Sequence, residues 1–246
     1  MDLRGKVALM TGARRIGAPV AAELARRGAR VALSYRQASG DVRSAPAPTA
    51  GVGGGVVTKR ADLTDAADCR RLVDETAAEL GRLDILINMA SVYDATPVGE
   101  VDASHWDRAL AVDARDAYLC ALAAAPHLRA AGGGRIVNVS DWIAASGRPR
   151  YRGYLPYYVA KSAVIGLTEA LALELADDGI LVNAVAPGPI RPPEGITPDT
   201  IQAVVQETPL GRWGGDDAIV QAVLALIETD FITGETLRVD GGRHLR

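Results

Sequence analysis

A chain of 246 residues is long enough to bury a sizeable core in one α/β domain. Its 48% apolar and 23% charged residues are usual for a soluble globular protein, and a net charge of −3 gives no electrostatic case for nucleic acid or an anionic membrane. No apolar signal region opens the chain and no apolar run is long enough to span a bilayer. Cys69 and Cys120 lack metal-ligand spacing and fall in separate helical segments. They read as reduced, buried or half-buried thiols, so the expected location is cytoplasmic, with no metal.

Lys6-Val-Ala-Leu-Met-Thr11 is an apolar run entering Thr-Gly, a strand running into a turn. A helix is predicted from Arg15 to Arg27, ended by Gly28, and a second strand over Arg30–Tyr35. Gly12 and Gly17 fall at this first β-to-α turn, where backbone N–H groups and the helix dipole can hold a pyrophosphate. Gly12 lets the chain turn and Gly17 lets backbone and ligand approach, although many such turns carry glycine for backbone reasons only. Residues 37–55 are rich in Ala, Pro and Gly without apolar period, so an irregular, mobile loop is expected where a crossover helix is normal.

Order returns at Val56 with a third strand. Thr64 is the expected N-cap of a helix running to Gly81, and Asp84–Asn88 the fourth strand. A loop with Tyr93 and Pro97 leads into a long helical region from Ala103 to Ala131, with a break expected near Pro126. Gly134–Ser140 is a strand, Pro156–Ala176 a helix and Ile180–Val185 a strand. A Pro/Gly-rich stretch from Pro187 to Gly215 holds a short helix near Thr200–Gln206, and a helix over Asp216–Glu228 precedes a last strand over Thr236–Asp240. Most strand candidates are continuous apolar runs, which predicts a parallel sheet covered on both faces. No second-domain boundary or repeat interrupts residues 1–246, so one domain is expected.

Tyr157 and Lys161 lie four apart, on one face of their helix. A lysine ammonium beside a phenol favours the phenolate and makes the tyrosine a usable acid near neutral pH. The same spacing is common on ordinary amphipathic surfaces; the strand-like run Arg135–Ser140 and the glycine-rich turn give it weight. Two helices are too apolar for a solvated surface, since Ala117–Ala125 carries no charge and Tyr157–Ala176 only Lys161, Glu169 and Glu174. The helices over 103–131 and 157–176 are therefore expected to join copies of the chain into a homo-tetramer or dimer, unless their small alanines simply tolerate exposure.

Taken together these residues resemble the short-chain dehydrogenase/reductase family over essentially the whole chain. The matching pieces are Thr11-Gly-Ala-Arg-Arg-Ile-Gly17, Asp62-Leu-Thr-Asp65, Asn88-Met-Ala-Ser91, Ile136-Val-Asn-Val-Ser140, Tyr157-x-x-x-Lys161, Asn183-Ala-Val-Ala-Pro-Gly188 and Val239-Asp-Gly-Gly. The resemblance implies an α/β fold, a single Rossmann-like doubly wound parallel sheet of about seven strands with helices on both faces. It implies that Tyr157 is the acid, that Lys161 lowers its pKa and holds the nicotinamide ribose, and that Asp113 stands where the family has a helix asparagine. It further implies a dinucleotide lying against Gly12, Arg14, Arg15, Ile16, Gly17, Tyr35, Arg36, Asp62, Leu63, Asn88, Ala90, Ser140, Pro187 and Gly188.

Cofactor choice rests on charge. An acid ending the second strand would hold the ribose diol of NAD, whereas Ser34-Tyr-Arg36 stands here with Arg14 and Arg15 opposite. Arginine suits a 2′-phosphate, so NADPH is expected; the other reading of Arg36 is a solvated surface charge. Asp62 resembles the family residue that contacts adenine and equally suits a helix start.

Asp141 stands where the family's catalytic serine is usual. That aspartate, the arginine-bearing turn and the ending Gly241-Gly-Arg-His-Leu-Arg246 resemble the pteridine reductases, including the bacterial dihydromonapterin reductase branch. In that likeness Ser91, Tyr93, Asp141 and Tyr157 line a pterin pocket. A carboxylate cannot donate a hydrogen bond unless protonated, but it can accept from ring N–H groups or carry a proton to a ring nitrogen. The plainer alternative is that Asp141 caps a loop. The turn from Thr11 to Gly17 is one residue shorter than the family's, and three extra residues near Arg148-Pro-Arg150 reshape the pocket rim. The expected function is NADPH-dependent reduction of a dihydropteridine or similar flat N-heterocycle. The alternatives are a carbonyl or 3-oxoacyl reductase and a non-catalytic NADP(H)-binding protein.

Overall fold

The computed structural model describes residues 1–12, 16–36, 55–193 and 195–246. Arg14, Arg15 and the stretch 37–54 lie outside the described residues. In chain order the elements are β1 (Val7–Thr11), α1 (Gly17–Arg26), β2 (Arg30–Tyr35), β3 (Gly55–Arg60), α2 (Ala66–Leu80), β4 (Ile85–Asn88), α3 (Ala103–Leu110), α4 (Asp116–Ala130), β5 (Gly134–Val139), α5 (Trp142–Ala145), α6 (Leu155–Glu174), β6 (Ile180–Pro187), α7 (Pro198–Glu207), α8 (Asp216–Glu228) and β7 (Thr236–Val239).

All seven strands are parallel, in the order β3-β2-β1-β4-β5-β6-β7. Strands buried on both faces explain the continuous apolar runs. Ala8, Met10, Val31, Leu33, Ile85 and Ile87 pack one face under α1 and α8, while Val7, Leu9, Leu86, Ile136 and Val182 pack the other under α2, α4 and α6. Burying one such leucine or isoleucine contributes about 1.5–3 kcal/mol. The chain winds outward from β1 to β3, then returns to start β4 on the other side of β1. The carboxyl ends of β1 and β4 therefore part around a crevice, the usual ligand site of an open α/β sheet.

Most boundaries fall within two residues of the sequence reading, and two differences bear on the site. The N-cap of α2 is Asp65, whose carboxylate accepts from Ala67 N at 2.8 Å. Thr64 instead donates its hydroxyl to Asp62 Oδ1 at 2.7 Å, because the Asp62 turn reaches it first. The long helical region breaks at 111–115, where one π-helical turn joins α3 to α4, and Pro126 lies within α4 without ending it. That wide turn carries Asp113. Both cysteines are free and buried, facing each other between α2 and α4. No helix of the described residues is long and apolar enough to cross a membrane.

Candidate active site

The crevice is built first from backbone. Gly12 holds a φ of +82°, and a β-carbon there would stand 2.8 Å from the Ala90 Cα and N. At Gly17 a β-carbon would run into the Gly12 carbonyl. Thr11 Oγ1 accepts from Met89 N at 3.0 Å and Ala90 N at 3.2 Å, tying the ends of β1 and β4 together. Sequence reasoning passed over this role of Thr11; its place just before Gly12 was the available signal. Ile16 takes the N-cap position of α1 and makes no side-chain cap hydrogen bond. Gly188 passes 2.6 Å from Asp240 as judged at the position of a β-carbon, so only glycine fits where β6 leaves Pro187 beside β7.

Around this crevice the other expected residues take different stations. Asn88 is buried, and its Nδ2 donates to Asn138 Oδ1 at 2.9 Å and to Ala117 O at 3.3 Å. Its Oδ1 is buried without a partner. Asn138 in turn donates to Thr168 Oγ1 at 2.9 Å, so β4, β5 and α6 are stitched together behind the site. Leu63 is buried in the core, Tyr35 half-buried and Arg36 exposed at the end of β2. Asp62 accepts from Thr64 N and Thr64 Oγ1, which hold its carboxyl below the usual range, with the Arg36 charge assisting.

Lys161 is fully buried, on the inner face of α6. Its Nζ donates to Val139 O at 2.9 Å and lies 3.2 Å from Asp113 Oδ1. Ser140 Oγ returns a bond to Lys161 O at 2.8 Å, locking the end of β5 to α6. Asp113 also accepts from Ser91 Oγ and from Val92 N at 3.2 Å. Ser91, expected in the substrate pocket, thus spends its hydroxyl on orienting Asp113.

Tyr157 OH donates to Asp141 Oδ2 at 2.9 Å, while Asp141 Oδ1 accepts from Ile143 N at 2.8 Å and caps α5. The capping reading of Asp141 therefore holds for one oxygen, while the other accepts from Tyr157. Burial raises the Asp141 pKa, opposed by the Ile143 N–H, Tyr157 and Lys161. The Tyr157 phenol is pushed well above its ordinary value, by burial first and then by the Asp141 charge. This corrects the expectation that Lys161 lowers it: the ammonium is taken up by Asp113 and Val139 O, and lies 5.8 Å from the Tyr157 ring centre. Tyr157 rests here as a protonated donor. Tyr93 stacks on Tyr154 with centroids 4.5 Å apart and meets Tyr157 edge-on at 4.9 Å, so an aromatic recess opens on the phenol.

A glycine-lined crevice at the reversal of a doubly wound sheet, beside a protonated tyrosine and a buried lysine, defines a nucleotide-dependent oxidoreductase. The family profile described as enoyl-(acyl carrier protein) reductase matches residues 12–244. The 3-oxoacyl-[acyl-carrier-protein] reductase FabG of Staphylococcus aureus is 31% identical, the match covering 98% of this chain and 98% of that one. A short-chain dehydrogenase/reductase from Serratia marcescens superposes with a TM-score of 0.90 at 33% identity, over 99% of this chain and 100% of its own. A blue fluorescent protein from a metagenomic library, solved in complex with NADPH, superposes with a TM-score of 0.88 at 32% identity, over 99% of each chain. The chain belongs to the short-chain dehydrogenase/reductase family and is an NAD(P)(H)-dependent oxidoreductase. Gly12 and Gly17 are required by close backbone contacts of their own, with Ala90 and with each other; they stand at the turn from β1 into α1, where the helix N-terminus would receive the pyrophosphate of such a cofactor.

Proposed function

We propose that the protein is an NADPH-dependent carbonyl reductase, acting on a ketone or 3-oxoacyl compound with Tyr157 as the proton donor. The observation that carries this reading is the Tyr157 hydroxyl, kept protonated by burial and facing the recess beside Asp141. NADPH, when bound, supplies the hydride. Gly12, Ile16, Gly17 and Gly188 give it bare backbone, Ala90 offers its main chain, and Arg36 favours the 2′-phosphate, with Asp62 and Leu63 towards the adenine. Lys161, held by Asp113 and Val139, presents its charge to the ribose side of the site. Tyr157, whose hydroxyl is accepted and oriented by Asp141 Oδ2, gives its proton to the substrate oxygen and regains one from solvent. The name of the staphylococcal relative, a 3-oxoacyl reductase, supports a carbonyl acceptor.

A specific observation also favours a dihydropterin as acceptor. An Asp141 oxygen and the stacked Tyr93–Tyr154 pair offer a flat aminated ring both an acceptor and a surface to lie on. Oxidation of NADPH and NADH with simple ketones, 3-oxoacyl thioesters and 7,8-dihydropterins decides between the two. Turnover confined to carbonyls, with NADPH preferred, upholds the main reading; turnover confined to dihydropterins replaces it. The apolar surface around Tyr118, Leu122 and Leu173 on α4 and α6, each more than 40% exposed, supports self-association through these helices.

A further inference from the structure

The bond between Tyr157 and Asp141 depends on a side chain far along the sequence. Asp141 is the N-cap of α5, and Trp142, the next residue, is buried at the head of that helix. With only four residues, α5 has too few internal bonds to hold its own direction, so whatever grips the indole decides where Asp141 points. Three side chains grip it. Tyr151 meets the ring edge-on with centroids 6.3 Å apart. Arg150 lies over it at 5.4 Å and is anchored on the main-chain oxygens of His244 and Arg246. Arg243 also lies over it at 5.4 Å and is itself buried.

Arg243 differs from the other two in what it reaches. Its Nη1 donates to Val204 O at 3.1 Å and its Nη2 to the Glu207 carboxylate, both on α7. Its charge also acts on the Tyr151 phenol in the recess wall, opposing the rise that burial causes there. Glu207 is its one carboxylate partner among the described residues, and the two side chains are unequally covered, Arg243 6% and Glu207 66% exposed. A buried cation that loses its partner is costly, so Arg243 draws Glu207 down on itself. α7 buries none of its residues, and a helix held so weakly by packing depends on such a pin. We infer that Arg243 is a positioning residue: pinned by Glu207 of α7, it seats Trp142 and so sets Asp141 against the Tyr157 hydroxyl. The docking of α7 is thereby felt at the phenol. This rests on the reading of Tyr157 as the proton donor and adds a residue that acts on it through two others.

The test uses Arg243→Met, which removes the charge, keeps an unbranched chain under the indole and leaves Glu207 free to rehydrate. In kcat/KM against pH, Asp141→Asn is expected to move the alkaline limb to lower pH, because the Asp141 charge holds the phenol high. Arg243→Met should move the limb in the same direction, by displacing that charge, and should add nothing in the double variant with Asp141→Asn. A limb that stays in place, or a shift that adds in full to that of Asp141→Asn, overturns the inference. The other groups facing Tyr157 are Asp113 on the π turn, Tyr93 on the loop after β4 and Lys161 on α6, and the variants leave all three unchanged. Arg243→Lys, which keeps a cation on the indole, should bring the limb part of the way back. Glu207→Gln alters only an exposed side chain, so it carries little folding risk, and should give a smaller shift of the same sign. A crystal structure of Arg243→Met supplies a readout without turnover. The Tyr157–Asp141 bond, 2.9 Å in the wild type, should be lengthened or lost, and a bond kept at that length overturns the inference. A bond lost in Arg243→Met while Tyr157→Phe keeps full turnover would sink the proton-donor reading and leave the positioning role standing.

Discussion

Two fully buried carboxylates stand at opposite ends of the sheet, and they behave differently. Asp84, at the foot of β4, accepts from Lys6 at 3.0 Å, from Arg82 at 2.6 Å and from Val7 N at 3.0 Å. Its two cations are 27% and 39% exposed, so each can turn back to water. Asp113, at the head of the sheet, faces Lys161, which is only 2% exposed. Lys161 cannot leave, and losing Asp113 leaves its ammonium with the Val139 carbonyl as its one direct hydrogen-bond acceptor among the described residues. The lower pair clamps strand starts with detachable partners. The upper pair fixes a lysine beside Tyr157, and mutual burial is what keeps it in place.

Removing each carboxylate breaks the comparison in a measurable way. Asp113→Ala should cost about 3–5 kcal/mol in urea unfolding, the usual penalty for leaving a buried charge unpaired. Asp84→Ala should cost about 1–3 kcal/mol, since Lys6 and Arg82 can rehydrate and only Val7 N is stranded. A larger loss at Asp84 would reverse the account. Acid sharpens it further. Burial alone would raise the Asp84 pKa, but Arg82, Val7 N–H and Lys6 overcome it and hold the group below its ordinary 3.8. A lowered folded-state pKa stabilises above the unfolded value and is lost as pH falls through the folded one. Stability should therefore decline below about pH 4 in the wild type, and part of that decline should vanish in Asp84→Asn. The smallest expected effect is at Asp141. Burial, then the Asp141 charge, holds Tyr157 high, so Asp141→Asn should move the alkaline limb of kcat/KM to lower pH. An unmoved limb would mean the two groups are not coupled in turnover.

The sheet was legible because strands buried on both faces leave unbroken apolar runs such as Ile85–Ile87, which survive any error in helix boundaries. Tyr157, Lys161 and the glycine turn were legible as spacings. Less legible were features set by contacts between distant segments. The π turn at 111–115 is a change of hydrogen-bond register with no side-chain signature, and it places Asp113 on Lys161. That ion pair, formed across 48 positions of sequence, is also why the expected lowering of Tyr157 by Lys161 is not found. Thr64 and Asp65 both suit an N-cap by composition, and the neighbouring Asp62 turn decided between them. Arg148-Pro-Arg150 was legible as an insertion at the pocket rim, but the stacking of Arg150 on Trp142 and its bond to the segment near His244 became visible only in the fold.

The most direct test of the central claim is NADPH oxidation by wild type and Tyr157→Phe on the best carbonyl substrate at neutral pH. Phenylalanine keeps the ring against Tyr93 and removes only the hydroxyl, so cofactor affinity should hold while kcat falls by about 10²–10⁴. Full turnover by a folded Tyr157→Phe would contradict the account, because the proton would then come from elsewhere.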